Sequence, residues 1–388
     1  MTDAFFSGLE PLPADPLLSL IGRYKADPRD GKIDLGVGVY RDEQGRTPVM
    51  KAMKAAEEIL LKDQDTKAYL GPEGDAGFTE ALIPIAFGAG APQVARLQTP
   101  GGTGALRLSA ELIAKARPGA TIHVGTPSWP IHAPMMKTAG LKVATFRHYD
   151  PETRALDFNA MLEAIEGAKA GDVILIHGCC HNPSGADPEG DQWAQIAGAV
   201  ARKGLLPLVD MAYQGLGDGL DADAAGARQV FAAVDEAMLA YSCDKNFGLY
   251  RERTGALFVK AGGRTDVIGS NLAGLARNNW SMPPDHGAAA ARVILQSDAL
   301  TALWREELDE MRARVNGVRA ALAKAHPLLA PLASGKGMFA LLPLTPEQVE
   351  TMREDHAIYM AGSGRINVAG LAMAQVKTFA EAFGAVAG

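Results

Sequence analysis

The stretch Val173-Ile-Leu-Ile-His-Gly178, followed by Gln192-Trp-Ala-Gln-Ile-Ala-Gly-Ala-Val-Ala201 and then Leu205-Leu-Pro-Leu-Val-Asp210, decides the fold. Two short apolar runs flank a segment whose apolar residues recur at helical spacing. A strand, a helix and a second strand in that order predict parallel pairing, because the helix carries the chain back across one face of the sheet. The alternation continues outward: residues 121–125, 238–242 and 256–259 read as further strands and 105–116 as a further helix. The expectation is an α/β fold with a mainly parallel sheet covered on both faces, and with its ligand site at the carboxyl ends of the strands. Beyond residue 300 the style changes to a long charged helix over 301–325, strands over 335–343 and 358–368, and a last helix, which predicts a second, smaller domain. At the other end, Phe5, Phe6, Leu9, Leu12, Leu17 and Leu18 alternate with Pro11, Pro13 and Pro16. Proline removes donors and blocks the helical turn, so this segment predicts an extended arm packed on its own chain or on another subunit.

Composition narrows the function. The chain has 388 residues, 47% hydrophobic and 21% charged, with a net charge of -7. That is ordinary globular composition with room for two domains. Without a dense basic run, neither nucleic acid nor an anionic membrane is an expected partner. Three cysteines, Cys179, Cys180 and Cys243, cannot build a disulfide framework, and the start of the chain lacks the basic and apolar pattern of a signal peptide. A cytoplasmic protein with reduced thiols is expected.

Four turns could carry chemistry. Thr99-Pro-Gly-Gly-Thr-Gly-Ala105 runs into a helix, so it is either a phosphate cradle of backbone amides or an ordinary tight turn and cap. Asp210 ends a strand with Tyr213 three residues on; its carboxylate either meets a cation or protonated ring nitrogen, or caps the next turn. His177-Gly-Cys-Cys-His-Asn-Pro-Ser-Gly185 holds two His and two Cys, but adjacent cysteines point apart on an extended chain, so no metal is expected. In Ser242-Cys-Asp-Lys-Asn-Phe-Gly-Leu-Tyr250, Lys245 directly follows an apolar strand, where a lysine can lose its charge and form a Schiff base or can make a strand-end ion pair.

In their order and spacing these turns resemble the aspartate and aromatic aminotransferases, class I of the fold-type I pyridoxal-phosphate enzymes. The resemblance covers nearly the whole chain. It takes in Asp15-Pro-Leu-Leu18, Lys32 to Tyr40, Tyr69-Leu-Gly, Thr126 to His132, the three turns around Asn182, Asp210 and Lys245, Arg277 to Pro284, and Ser363 to Gly370. It implies an arm over 1–14, a large pyridoxal-phosphate domain over 49–299 with a seven-stranded-type sheet, and a smaller α+β domain from 15–48 and 300–388. It further implies that Lys245 carries pyridoxal 5′-phosphate covalently and then moves the substrate's α-proton, and that Asp210 holds the ring nitrogen protonated with His132 supporting it from behind. Asn182 and Tyr213 would bond the ring oxygen, and Trp129 would stack on the ring. Gly102, Thr103, Ser242 and Arg253, with Tyr69 of a second subunit, would hold the phosphate.

For the substrate, the resemblance implies that Arg365 grips the α-carboxylate and that Arg277 reaches from the neighbouring subunit to a distal carboxylate. Gly38 and Leu18 would close over the substrate. The implied enzyme is a homodimer with shared sites that exchanges amino groups between aspartate, glutamate or aromatic amino acids and 2-oxo acids by a ping-pong cycle. A related pyridoxal-phosphate decarboxylase or lyase would present the same ring, lysine and aspartate; a nicotinamide oxidoreductase would need a glycine fingerprint that is missing here. Two departures stand out. Asp244 occupies the place of a small hydroxyl residue that helps bind phosphate, and as an ionised acceptor it is expected to stay out of the site. Ala68 and Met282 replace asparagines of aspartate-specific relatives, which leans toward aromatic side chains.

Overall fold

The computed structural model describes residues 4–12 and 16–388; Pro13 of the expected arm and Asp15 of the motif Asp15-Pro-Leu-Leu18 lie outside them. Its centre is a seven-stranded sheet ordered Val94–Pro100, Thr254–Ala261, Glu236–Ser242, Leu206–Met211, Val173–His177, Thr121–Thr126 and Lys142–Arg147. Thr254–Ala261 runs antiparallel to both neighbours. All other pairs are parallel, as the strand–helix–strand pattern requires.

That topology gathers the chemistry on one edge. The carboxyl ends Pro100, Thr126, His177, Met211 and Ser242 lie together, and the single antiparallel strand starts beside them, Thr254 opposite Pro100 and Gly255 opposite Ser242. Apolar residues from both faces fill the space under the covering helices; Leu208, Val209, Ile174 and Ile122 are all but inaccessible. Burial on both faces is why these strands are continuous apolar runs rather than alternating ones.

A second region joins the two ends of the chain. Ile33–Asp34 pairs in parallel with Ile358–Tyr359, and Phe339–Leu341 pairs antiparallel with Arg365–Asn367. The expected strands over 335–343 and 358–368 are therefore shorter: the second is broken by a turn at Gly364, whose φ of +77° only a glycine adopts easily. The long helix Asp298–Ala325 starts at a Ser297 cap, whose hydroxyl accepts from the Leu300 amide. Its Trp304 stacks on Phe247 at 4.4 Å and donates to the Asn246 carbonyl at 2.7 Å, bracing the loop that holds Lys245.

The extended reading of the opening segment fails at its end. Leu17 and Leu18 belong to the helix Pro16–Ala26, because a proline in the first helical turn has no donor to lose and its fixed φ suits the helix. Phe5, Phe6, Leu9 and Leu12 remain at least 71% exposed. Among the described residues, no helix is long and apolar enough to cross a membrane.

Candidate active site

Lys245 follows the strand Glu236–Ser242 through a short turn. The Cys243 amide donates to the Thr254 carbonyl at 2.9 Å, and Asn246 donates to the buried Tyr241 hydroxyl at 3.0 Å, so the residues around the lysine are fixed to the sheet. Its Nζ stands 5.3 Å from the centre of the Tyr213 ring and 4.0 Å from Asp244 Oδ2. Burial pulls the amine below the ordinary lysine range and Arg253 adds to the pull, while Asp244 and Asp210 oppose it. A lysine held this way can act as a nucleophile and a base.

Asp210 ends the neighbouring strand in register with His177. Its Oδ2 accepts from His132 Nε2 at 2.9 Å, and His132 Nδ1 is bonded to Ser128 Oγ at 2.8 Å. Burial alone would push the Asp210 carboxyl up, but the hydrogen bond from His132 and the electrostatic pull of the neighbouring His132, His177 and Lys245 side chains outweigh it and hold it below the usual range. It therefore stays ionised, fit to face a protonated nitrogen. Tyr213 behaves oppositely: burial first, then the Asp210 charge, raise its phenol well above the ordinary range. Its hydroxyl accepts from Asn182 Nδ2 at 3.4 Å and keeps its own proton to donate.

The helix Gly101–Ala116 points its amino end at this edge. Gly101 has a φ of +68°, and a Cβ on Gly102 would come within 2.9 Å of Ser242, so only glycines let helix and strand approach so closely. Gly102, Thr103, Trp129, Asn182, Asp210, Tyr213, Ser242, Asp244 and Lys245 all line one narrow cavity of about 80 Å³. A larger cavity of about 1120 Å³ adjoins it at Trp129, which lines both. The larger one is walled mainly by prolines and aliphatic side chains, with Arg154, Arg353 and Arg365 also in its lining. Arg365 donates to the Gly36 carbonyl at 2.7 Å and lies 4.8 Å over the Phe339 ring, which packs against Gly38.

Nine of the residues named from sequence thus converge with Lys245 or border it, and His132 stands behind Asp210. Others do not. Tyr69 is 92% exposed and Arg277 is also exposed, bonded to Ser281; neither reaches the cavities of its own chain. Leu17 and Leu20 line the larger cavity, whereas Leu18 is 69% exposed and Gly38 is set back behind Phe339. Asp244 requires a correction: it is not outside the site but a buried wall of it, ion-paired with Arg253 at 2.6 Å. The favourable guanidinium is what makes a carboxylate tolerable there. His177 and Ser128 had no role assigned from sequence; the signal for His177 was its place at a strand end beside Asp210.

A sheet edge furnished in this way places the chain among the fold-type I pyridoxal-phosphate enzymes. Within that class it belongs to the family Aminotransferase class I and II, whose model matches residues 30–383. The tyrosine aminotransferase of Rhizobium meliloti (strain 1021) is 50% identical to it, over 97% of this chain and 99% of that protein. The aspartate aminotransferase of Escherichia coli (strain K12) is 43% identical over 98% of this chain and all of that one. A crystal structure of the aromatic-amino-acid aminotransferase from Burkholderia pseudomallei, covalently bound to pyridoxal phosphate, shares the fold with a TM-score of 0.95 at 36% identity, over 99% of each chain. The chain is an aminotransferase, and the cofactor of its family is pyridoxal 5′-phosphate. Its residues suit that group: the glycine cradle beside Ser242 is open, and the buried Asp210 carboxylate, held below its usual range, is fit to face a protonated ring nitrogen.

Proposed function

We propose that this aminotransferase serves both dicarboxylic and aromatic amino acids, aspartate, glutamate, tyrosine and phenylalanine, with 2-oxo acids such as 2-oxoglutarate as acceptors in a ping-pong cycle. The observation that carries the reading is Arg365 in the lining of a large, mostly apolar cavity that meets the Lys245 cavity at Trp129. An α-carboxylate would be gripped by Arg365, an aromatic side chain accepted by the apolar walls, and the α-carbon brought to Lys245.

When bound, the cofactor supplies a carbonyl that takes the amino group and a ring that draws electrons from the substrate's α-carbon. Lys245 would anchor it and, as a free amine, would take the substrate's α-proton on Nζ. Asp210, held ionised by His132, would keep the ring nitrogen protonated. Tyr213 and Asn182 would bond the ring oxygen, Trp129 would cover the ring, and Gly102, Thr103, Ser242 and Arg253 would hold the phosphate.

Tyr69 and Arg277 enter this reading from a second copy of the chain. Both are exposed, and Val49, Leu61 and Leu70 lie open at 52%, 86% and 49%. A homodimer in which each copy lends Tyr69 to the other's phosphate and Arg277 to a distal carboxylate uses that exposure. The same reading assigns 15–48 and 300–388 to one smaller domain and 49–299 to the large one, supported by the pairing of Ile33–Asp34 with Ile358–Tyr359. A cytoplasmic location is supported by three free, buried cysteines.

The test is a panel of the four donors with 2-oxoglutarate, together with borohydride reduction of the loaded enzyme. Turnover of both donor classes with the reduced label on Lys245 is expected. Label on another lysine, or activity confined to one donor class, would overturn the corresponding part.

A further inference from the structure

Arg319, on the helix Asp298–Ala325, is a buried cation that the chemistry just described does not use; it is 2% exposed. Its partners are main-chain carbonyls: Gly337 at 2.7 Å, Phe339 at 2.8 Å, and more loosely Lys336 at 3.3 Å and Leu332 at 3.4 Å. Burial lowers its pKa to about 10, with Cys180 and Asp187 opposing, so it stays charged at neutral pH. An apolar side chain of similar volume would fill the same space without that desolvation. What the guanidinium adds is a planar fork that fixes several carbonyls at once.

Those carbonyls belong mostly to the segment 336–339, which lies between two parts of the site. On one side it presses on the turn that carries Asn182: the Lys336 amide donates to the Gly185 carbonyl at 2.8 Å, and a Cβ on Gly185 would stand 2.8 Å from the Phe339 oxygen. A Cβ on Gly337 would stand 2.3 Å from Cys180 Cβ, so there is no slack between the two segments. On the other side the Phe339 ring lies 4.8 Å from the Arg365 guanidinium and edge-on to Tyr213 at 5.8 Å, and a Cβ on Gly38 would meet it at 2.8 Å. Arg365 rests on that ring and on the Gly36 carbonyl at 2.7 Å. The arginine read above as the α-carboxylate grip is therefore seated on a ring whose own backbone Arg319 holds.

We propose that Arg319 is a positioning residue for transamination: through the segment 336–339 it sets the place of Arg365 relative to Asn182 and Tyr213. Without the fork, Phe339 is free to tilt and Arg365 moves with it, so a gripped substrate no longer presents its α-carbon to Lys245. A displacement of about 1 Å in a gripping group can cost about a hundredfold in rate. This rests on the reading of Arg365 as the residue that takes the α-carboxylate.

The experiment compares Arg319→Met and Arg319→Lys with wild type as full-length, cofactor-loaded enzyme. The probe for Arg365 is 3-phenylpropionate, a carboxylate with no amino group to react, followed by the change it causes in cofactor absorbance. The probe that bypasses Arg365 is 2-phenylethylamine, an amine with no carboxylate, followed as a single half-reaction. Arg319→Met should raise Kd for 3-phenylpropionate about tenfold and lower kcat/KM for phenylalanine about a hundredfold, while the rate with 2-phenylethylamine stays within about twofold. Arg319→Lys keeps the charge but loses the fork, so it should fall between wild type and Arg319→Met, and it carries the same comparison if Arg319→Met does not fold. Leu322→Ala, about one turn further along the same helix and fully buried, should lower the urea midpoint without moving 3-phenylpropionate binding. Unchanged 3-phenylpropionate binding in the folded Arg319 variants, a rise in Kd shared by Leu322→Ala, or equal losses with phenylalanine and 2-phenylethylamine would overturn the assignment. If Arg365→Leu itself binds 3-phenylpropionate as wild type does, the reading of Arg365 fails instead.

Discussion

The Leu70 amide donates to the Met282 sulfur at 3.1 Å, tying the loop that carries Tyr69 to the loop that follows Arg277. The two residues that reach no cavity of their own chain are thus presented on one connected surface. If that surface delivers Arg277 to a second subunit, two defective variants should repair each other. A Lys245→Ala chain still offers Arg277, and an Arg277→Leu chain still offers Lys245. Unfolded together and refolded, they should recover roughly a quarter of wild-type aspartate turnover, since half the dimers are mixed and one site in each is whole. No recovery, with mixed dimers shown to form, would place Arg277 in its own chain's site.

The two substrate arginines should differ in what they discriminate. Every amino acid brings an α-carboxylate, so Arg365→Leu should depress kcat/KM for aspartate and phenylalanine alike. Arg277→Leu should cost aspartate and glutamate on the order of 3 kcal/mol and the aromatic donors much less. The donor half-reaction must be measured alone, because 2-oxoglutarate is itself a dicarboxylate. Equal losses for both classes would make Arg277 structural.

Asp210 and His132 should separate by size of effect. Asp210→Ala removes a charge facing the ring nitrogen and should lower kcat by roughly 3 kcal/mol or more in activation free energy. His132→Ala leaves the carboxylate in place but takes away its 2.9 Å donor, which should cost about 1–3 kcal/mol. Near-normal turnover in a cofactor-loaded Asp210→Ala enzyme would contradict the arrangement.

Acid should destabilise the fold through the histidines behind the site. His148 stacks on His181 at 3.6 Å, and His177 lies 4.3 Å from His181. Burial lowers His148 to about 4, His177 to about 3, and His181 well below the ordinary range. The unfolded chain binds their protons from about pH 6.5 downward while the folded chain refuses them, so stability is full above that pH and falls toward pH ~4, by at most roughly 1.4 kcal/mol per pH unit for each. Asp187, raised by burial to about 6, works the other way, and Asp223 and Asp285, also raised by burial, act in the same sense against the three histidines. Urea midpoints should drop between about pH 7.5 and about pH 5, and His148→Asn should flatten that drop. A midpoint that rises on acidification would contradict these burial effects.

The inner strands were legible because both their faces are buried, which leaves runs such as Val173-Ile-Leu-Ile. The two strands that went unread, Val94–Pro100 and Lys142–Arg147, are the two edges of the sheet. Arg96, Gln98, Lys142 and Arg147 interrupt their apolar pattern, as edge strands tolerate and central ones do not. Lys245, Asp210 and Asn182 could be found because each ends or follows a readable strand. The Asp244 and Arg253 partnership could not, because nine positions separate the two and only the turn into Thr254–Ala261 folds one back on the other. Spacing along a chain carries no sign of which charges will neutralise each other.

The pairing of Ile33–Asp34 with Ile358–Tyr359 sets an order of events for a chain made from its amino end. The early strand emerges with the whole seven-stranded sheet still to be made before its partner, and that sheet can close before the partner exists. Arg365 arrives in the same late segment, on the strand paired with Phe339–Leu341. The nascent chain therefore has its lysine in place well before it has the arginine that would orient a substrate toward it. Until that later segment is made, the enzyme can hold its tool but not its work.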